Sequence, residues 1–200
     1  EVVARIAMRL FLIRHGETVV NAEHLIGGGA DPEITEKGIA QAKEVGAWAH
    51  KVSPRPSCLV RSDRSRTKIT AECVNENLDL DIHIEPDLDE HDFGDMIGMK
   101  AEEAFEIVLK RGETPPNGES FADFTLRIQK SISHVLDTYP DTPMIVAHGG
   151  LFRAIARMYD LPLWKSGNCE LHYFEPIDNE KFPWKVTRYF SDNETQEVAV

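Results

Sequence analysis

Short apolar runs alternate along this chain with longer stretches whose apolar residues fall three and four apart. Residues 10–13, 57–60 and 144–147 are nearly continuous in apolar side chains and read as buried strands. Residues 36–51 carry Ile39, Ala42, Trp48 and Ala49 towards one face, with Thr35 placed to cap the start of a helix. A second helix is predicted from about 66 to 77 and a third around 101–110. A longer one begins near Ser120, where Phe121, Phe124, Ile128, Ile132 and Val135 recur at helical spacing. Residues 81–84 alternate as a short strand, 151–158 read as a helix, and two strands near 171–174 and 186–190 finish the set. The Pro/Gly-rich stretch GETPPNGES, 112–120, is read as a loop.

Apolar, unalternating strands joined by helices imply a mainly parallel sheet covered on both faces, a three-layer α/β/α sandwich. Ligands in such sheets bind beyond the carboxyl ends of the strands. Arg14, His15, Ser62 and His148 each follow a predicted strand end. No internal repeat or interdomain linker is present, so residues 1–200 are read as a single domain. The polar tail 191–200 is expected to fray. Residues 1–7, ahead of Met8, are set aside as a candidate extension.

Charge narrows the function classes. Twenty-two Lys and Arg against 34 Asp and Glu give a net charge of −12, which argues against a nucleic-acid partner. A small anion held by a few converging arginines is still compatible with that balance. Cys58, Cys73 and Cys169 stand at unmatched spacings without a C-x-x-C pair, so neither a zinc knuckle nor a disulfide framework is indicated. That count suits a reducing cytoplasm. No apolar stretch reaches the length of a membrane span, and no signal-peptide pattern is seen. The expectation is therefore a cytoplasmic protein with no membrane partner.

Four segments carry candidate chemistry: RHGET (14–18), RSDRSRTKITAE (61–72), LDEHDFGD (88–95) and AHGG (147–150). Each alone has a plain explanation, such as a solvated loop or a tight turn made of glycines. Together they place two histidines, two arginines and a carboxylate at one end of a sheet. A neutral imidazole can attack phosphorus, arginine offers a planar fork for phosphate oxygens, and a carboxylic acid can protonate a departing alkoxide. Backbone N–H groups at the helix start after His148 would add anion stabilisation.

These segments resemble the motifs of the histidine phosphatase superfamily, also called the phosphoglycerate-mutase-like family. RHGET followed by Asn21 is similar to its signature, and DPEITEKGIAQA (31–42) resembles a second family segment. SDRSRTKITAE, LDEHDFGD and IVAHGGLFRAI (145–155) follow in the family's order, with PNGES (116–120) and Asn168 also in place. The resemblance runs from about residue 9 to 175. It implies a phosphoglycerate-mutase-like fold and a metal-independent, cofactor-free phosphatase acting on small phosphomonoesters. His15 would be the phosphorylated nucleophile and Glu90 the proton donor. Arg14, Thr18, Asn21, Arg66, His148 and the Gly149 N–H would hold the phosphoryl group.

Two departures bear on specificity. Ser62-Asp63-Arg64 replaces the family's usual Ser-Pro-Leu, and Ile97 stands where a glutamate or glutamine often lies. Phe93, Met96, Met99, Phe121 and Phe152 are candidates to touch the leaving group, although core packing explains each equally well. A phosphoglycerate mutase is one alternative. The resemblance implies a long basic insertion in cofactor-dependent mutases, whereas only 27 residues separate Glu90 from Gly118 here. A catalytically silent phospho-ligand or protein-binding relative is the other. Sequence leaves the oligomeric state, monomer or homodimer, open.

Overall fold

The computed structural model describes residues 8–139, 141–179, 181–192 and 194–199, so the candidate extension 1–7 lies outside the described residues. The strands are β1 (Leu10–Arg14), β2 (Leu59–Arg61), β3 (Ile82–Ile84), β4 (Met144–Ala147), β5 (Leu171–Pro176), β6 (Trp184–Tyr189) and β7 (Thr195–Glu197). They form one sheet in the order β3-β2-β4-β1-β5-β6-β7. The pairs β1–β4, β2–β4 and β2–β3 are parallel, as the apolar runs predict. The last three strands attach antiparallel, beginning with β5 on β1.

The helices are α1 (Val19–Ala22), α2 (Glu36–Trp48), α3 (Ser65–Asn75), α4 (Ala101–Phe105), α5 (Phe121–Thr138) and α6 (Gly149–Met158). Residues 106–110 extend α4 as a wider π-helical turn. Because strand side chains alternate between faces, β1 feeds two cores. Leu10 and Leu12 pack with Phe124 and Ile128 of α5 and Phe152 of α6. Phe11 and Ile13 pack with Val45 of α2 and Val74 of α3. A smaller cluster of Ile26, Phe93, Ala104 and Val108 supports the segment beside the site.

Three findings differ from the sequence reading. The tail expected to fray contains β7, three exposed residues paired on β6. A backbone ladder needs no apolar side chains, so hydrophobic patterning does not reveal it. Helix α6 starts at Gly149 rather than 151, because glycines break the apolar pattern while the first helical turn tolerates them. Phe152 is fully buried against Trp164 and His172, and Phe93 is buried against His91. Both belong to packing rather than to an open substrate wall.

Candidate active site

The parallel register sets Arg14 opposite Ala147, so His15 and His148 leave adjacent strands side by side. The His15 N–H donates to the Ala147 carbonyl at 2.9 Å, and the two rings meet edge-on with centroids 5.3 Å apart. His15 Nδ1 lies 2.7 Å from the Gly16 carbonyl. A carbonyl can only accept, so Nδ1 carries the proton and Nε2 keeps its lone pair. The loop is fixed by Gly16, whose N–H donates to Thr70 Oγ1 at 3.0 Å. A Cβ at Gly16 would meet the Gly38 carbonyl at 2.3 Å, so only glycine lets the start of α2 approach this closely.

His148 is completely buried. Its Nδ1 lies 3.2 Å from Arg66 Nη2, which can only donate. That assigns the proton to Nε2, which donates to Ser62 Oγ at 2.7 Å. Arg66, in the first turn of α3, also donates through Nη1 to the Ala30 carbonyl and to Asp31. Asp31 in turn accepts from the Ser65 N–H at the start of α3, an acidic group suited to a helix N-terminus. Burial first, then Arg66, hold both imidazole pKa values well below the usual 6.5; Arg14 adds to this for His15.

Arg14 donates through Nη1 to the Ser166 carbonyl at 2.7 Å, while its buried Nε has no hydrogen-bond partner. Burial, followed by Arg153, lowers its pKa. Asn21 accepts at Oδ1 from the Thr18 N–H and from Asn168 Nδ2. Its Oδ1 is thus committed, which leaves its amide N–H groups as donors. Asn168 Nδ2 also donates to the His15 carbonyl, and β5, which follows Asn168 and pairs with β1, explains that reach. Thr18 is fully buried, and its Oγ1 accepts from the Asn21 N–H as the cap of α1.

Glu90 lies in an irregular segment between a short turn and Phe93. Its Oε1 accepts from the His91 N–H at 2.9 Å and its Oε2 from the Gly150 N–H at 3.2 Å. Arg153 of α6 stands 3.8 Å from Oε1, its guanidinium 4.7 Å above the Phe105 ring. Every group implied by the sequence is thus gathered at one sheet edge. Arg153 and the Gly150 N–H were missed. Arg153 follows Gly149 by four residues, one helical turn, which is the signal that could have found it.

The family model of the histidine phosphatase superfamily (branch 1) matches residues 10–182. The chain belongs to this superfamily. It is 36% identical to the adenosylcobalamin/alpha-ribazole phosphatase of Salmonella typhimurium, with 78% of this chain and 84% of that protein covered. It is 31% identical to a "Probable phosphoglycerate mutase GpmB" of Cronobacter sakazakii, with 88% and 87% covered. Among solved structures it is similar to a mycobacterial glucosyl-3-phosphoglycerate phosphatase complexed with VO3. That match has a TM-score of 0.72 and 26% identity and covers 90% of this chain and 97% of the other. The chain is therefore an enzyme of a superfamily of phosphatases and phosphoglycerate-mutase-like proteins.

The departures from the superfamily's pattern now have places. Arg64 pairs with Asp89 through Nε and Nη2, and Asp89 also accepts from the Glu90 N–H at 2.8 Å. Asp63 points mostly to solvent. Ile97 is 40% exposed and lies against Gly28. A cavity of about 450 Å³ opens beside Glu90, between Arg64 and Arg127. Among the described residues, no group of three or more His, Cys, Asp or Glu is placed to hold a metal ion. No described helix is long and apolar enough to cross a membrane.

Proposed function

We propose that this protein is a metal-independent phosphatase of small phosphomonoesters that works through a phosphohistidine on His15. The observation that carries the reading is the Nδ1–H bond from His15 to the Gly16 carbonyl, which leaves the Nε2 lone pair free for attack. In the first step, Nε2 forms a bond to phosphorus and the ester P–O bond breaks. Glu90, in its acid form, gives its proton to the departing oxygen. In the second step, water attacks phosphorus, Glu90 takes a proton from it, and the N–P bond returns its electrons to His15. Arg14, Arg66 and Asn21 hold the phosphoryl oxygens, with the Gly149 N–H in support, and His148, bonded to Arg66 and Ser62, sets the Arg66 fork beside them.

The cavity beside Glu90 favours a phosphatase over a mutase that must hold a second phosphate. Its walls include Asp87, Asp89, Asp92 and Glu119. Its two arginines are already paired, Arg64 with Asp89 and Arg127 with Glu119. A second phosphate there would face carboxylates, whereas a neutral, hydroxylated leaving group would not. Sugar phosphates and the alpha-ribazole phosphate named for relatives belong to that class.

The deciding experiment measures phosphate release over a panel of phosphomonoesters. Beside it runs mutase activity on 3-phosphoglycerate with 2,3-bisphosphoglycerate present. Phosphate release, its abolition in His15→Ala, and an acid-labile phosphoryl label on His15 are the expected results. Wild-type hydrolysis by His15→Ala, or efficient mutase turnover, would overturn the reading. So would a complete lack of turnover on the panel, which would instead favour a silent binding relative.

A further inference from the structure

Arg127 lies on α5, outside the groups assigned above to the phosphate or the leaving oxygen. An arginine side chain has five N–H donors, and here they make five hydrogen bonds. Nε and Nη2 grip Glu119 at 2.9 and 2.7 Å. Nη1 donates to the Asp87 and Asp89 carbonyls at 2.8 and 3.0 Å, and Nη2 also reaches the Glu90 carbonyl at 3.3 Å. The main chain of Glu119 closes the seam. Its N–H donates to the Asp92 carbonyl, and its carbonyl accepts from His91 Nε2. The segment that carries Glu90 has no regular ladder of its own, and this guanidinium, together with the Glu119 main chain, ties it to the first two turns of α5.

We propose that Arg127, held by Glu119, is a positioning residue for Glu90. This inference rests on reading Glu90 as the proton donor. A bidentate Arg–carboxylate pair fixes the plane of the guanidinium. The remaining edges then set the three carbonyls and, through them, the path of the main chain. A general acid must meet the leaving oxygen within hydrogen-bond reach, so slack in this segment costs proton transfer before it costs phosphate binding. Lysine keeps the charge but supplies three donors from one point and cannot replace the fork.

The test compares two ester types in the full-length protein. An alkyl phosphate needs its leaving oxygen protonated, whereas p-nitrophenyl phosphate releases a stable anion without help. Arg127→Lys should lower kcat/KM, which covers only the steps up to departure of the leaving oxygen, by about 10-fold or more on the alkyl ester, a share of the roughly 100-fold or greater contribution of a general acid. On the nitrophenyl ester it should stay within about two-fold, which also shows that the phosphate site is folded. Glu119→Gln loosens the same clamp with the arginine retained and should show the same selectivity, so an unfolded Arg127→Lys does not end the test. Adding Arg127→Lys to Glu90→Gln should cause no further loss on the alkyl ester.

Equal losses on both esters in the clamp variants, or no loss, would overturn the inference while a selective Glu90→Gln defect kept the proton-donor reading. A Glu90→Gln variant whose kcat/KM is equally impaired on both esters would overturn the proton-donor reading itself, and this inference with it.

Discussion

The Gly150 N–H donates to Glu90 Oε2 at 3.2 Å, and a Cβ placed on Gly150 would stand 1.9 Å from Glu90 Oε1. The helix that begins after the second histidine thus also seats the carboxylate assigned as acid. Phe124 lies 2.8 Å from the same point, so the space cannot open on the other side without disturbing the core. Gly150→Ala should therefore push Glu90 away while raising local helix propensity. A displacement of this size is expected to lower kcat by about 100-fold. Steady-state kinetics beside a thermal melt checks this, and a wild-type rate would show that Glu90 has no need of that seat.

Arg14 Nε and Arg153 Nη1 both fall 3.4 Å from the Cβ position of Gly149. Two guanidiniums converging on one point repel each other, and Arg153 contributes to lowering the Arg14 pKa. An anion between them would be attracted by both. Arg153→Met keeps the stem over Phe105 and removes the charge. Inhibition by inorganic phosphate should weaken by about 10-fold, in keeping with the loss of one charge-assisted hydrogen bond. An unchanged inhibition constant would restrict Arg153 to packing.

His15 and His148 both have folded-state pKa values well below 6.5 through burial, then Arg66. As pH falls through 6.5 the unfolded chain takes up protons on these rings, whereas the folded protein does not. The stability tied to their neutral state is full above the unfolded pKa and is lost progressively as pH falls below it. Imidazole NMR signals of both residues should stay flat between pH 8 and 6 in the free enzyme. Two midpoints near 6.5 would contradict the arrangement. A bound phosphate dianion should push both values upward.

His172 adds a second pH effect away from the site. It is buried on β5 against Phe152 and Trp164, and burial lowers its pKa to about 4. From an unfolded value near 6.5, the full linkage amounts to about 3 kcal/mol, developed as pH falls from 6.5 towards 4. His172→Phe keeps an aromatic ring and removes the proton site. Its urea midpoint should fall less than that of the parent protein between pH 7 and 4.5. Parallel losses would exclude His172 as a source of acid instability.

Sequence by itself determined the central strands, the placing of Arg14, His15 and His148 at their ends, and Arg66 in the first turn of the helix after β2. Strand β4 is apolar and buried along its length and β1 is so up to Arg14, and the motifs that end them keep their order. Local information suffices there, because a strand's end and a helix's first turn follow from neighbouring residues. Tertiary structure decided the rest. The antiparallel attachment of β5 brings Asn168 to Asn21, 147 residues away. Arg127 meets the carbonyl of Glu90 across 37 residues, and Gly150 meets its carboxylate across 60. Which nitrogen of each histidine carries the proton likewise depends on Gly16 for one ring and on Ser62 and Arg66 for the other. Except for the Gly16 bond, these are hydrogen bonds between chain segments that hydrophobic periodicity cannot connect. They form only once the two cores have fixed which backbone groups face one another.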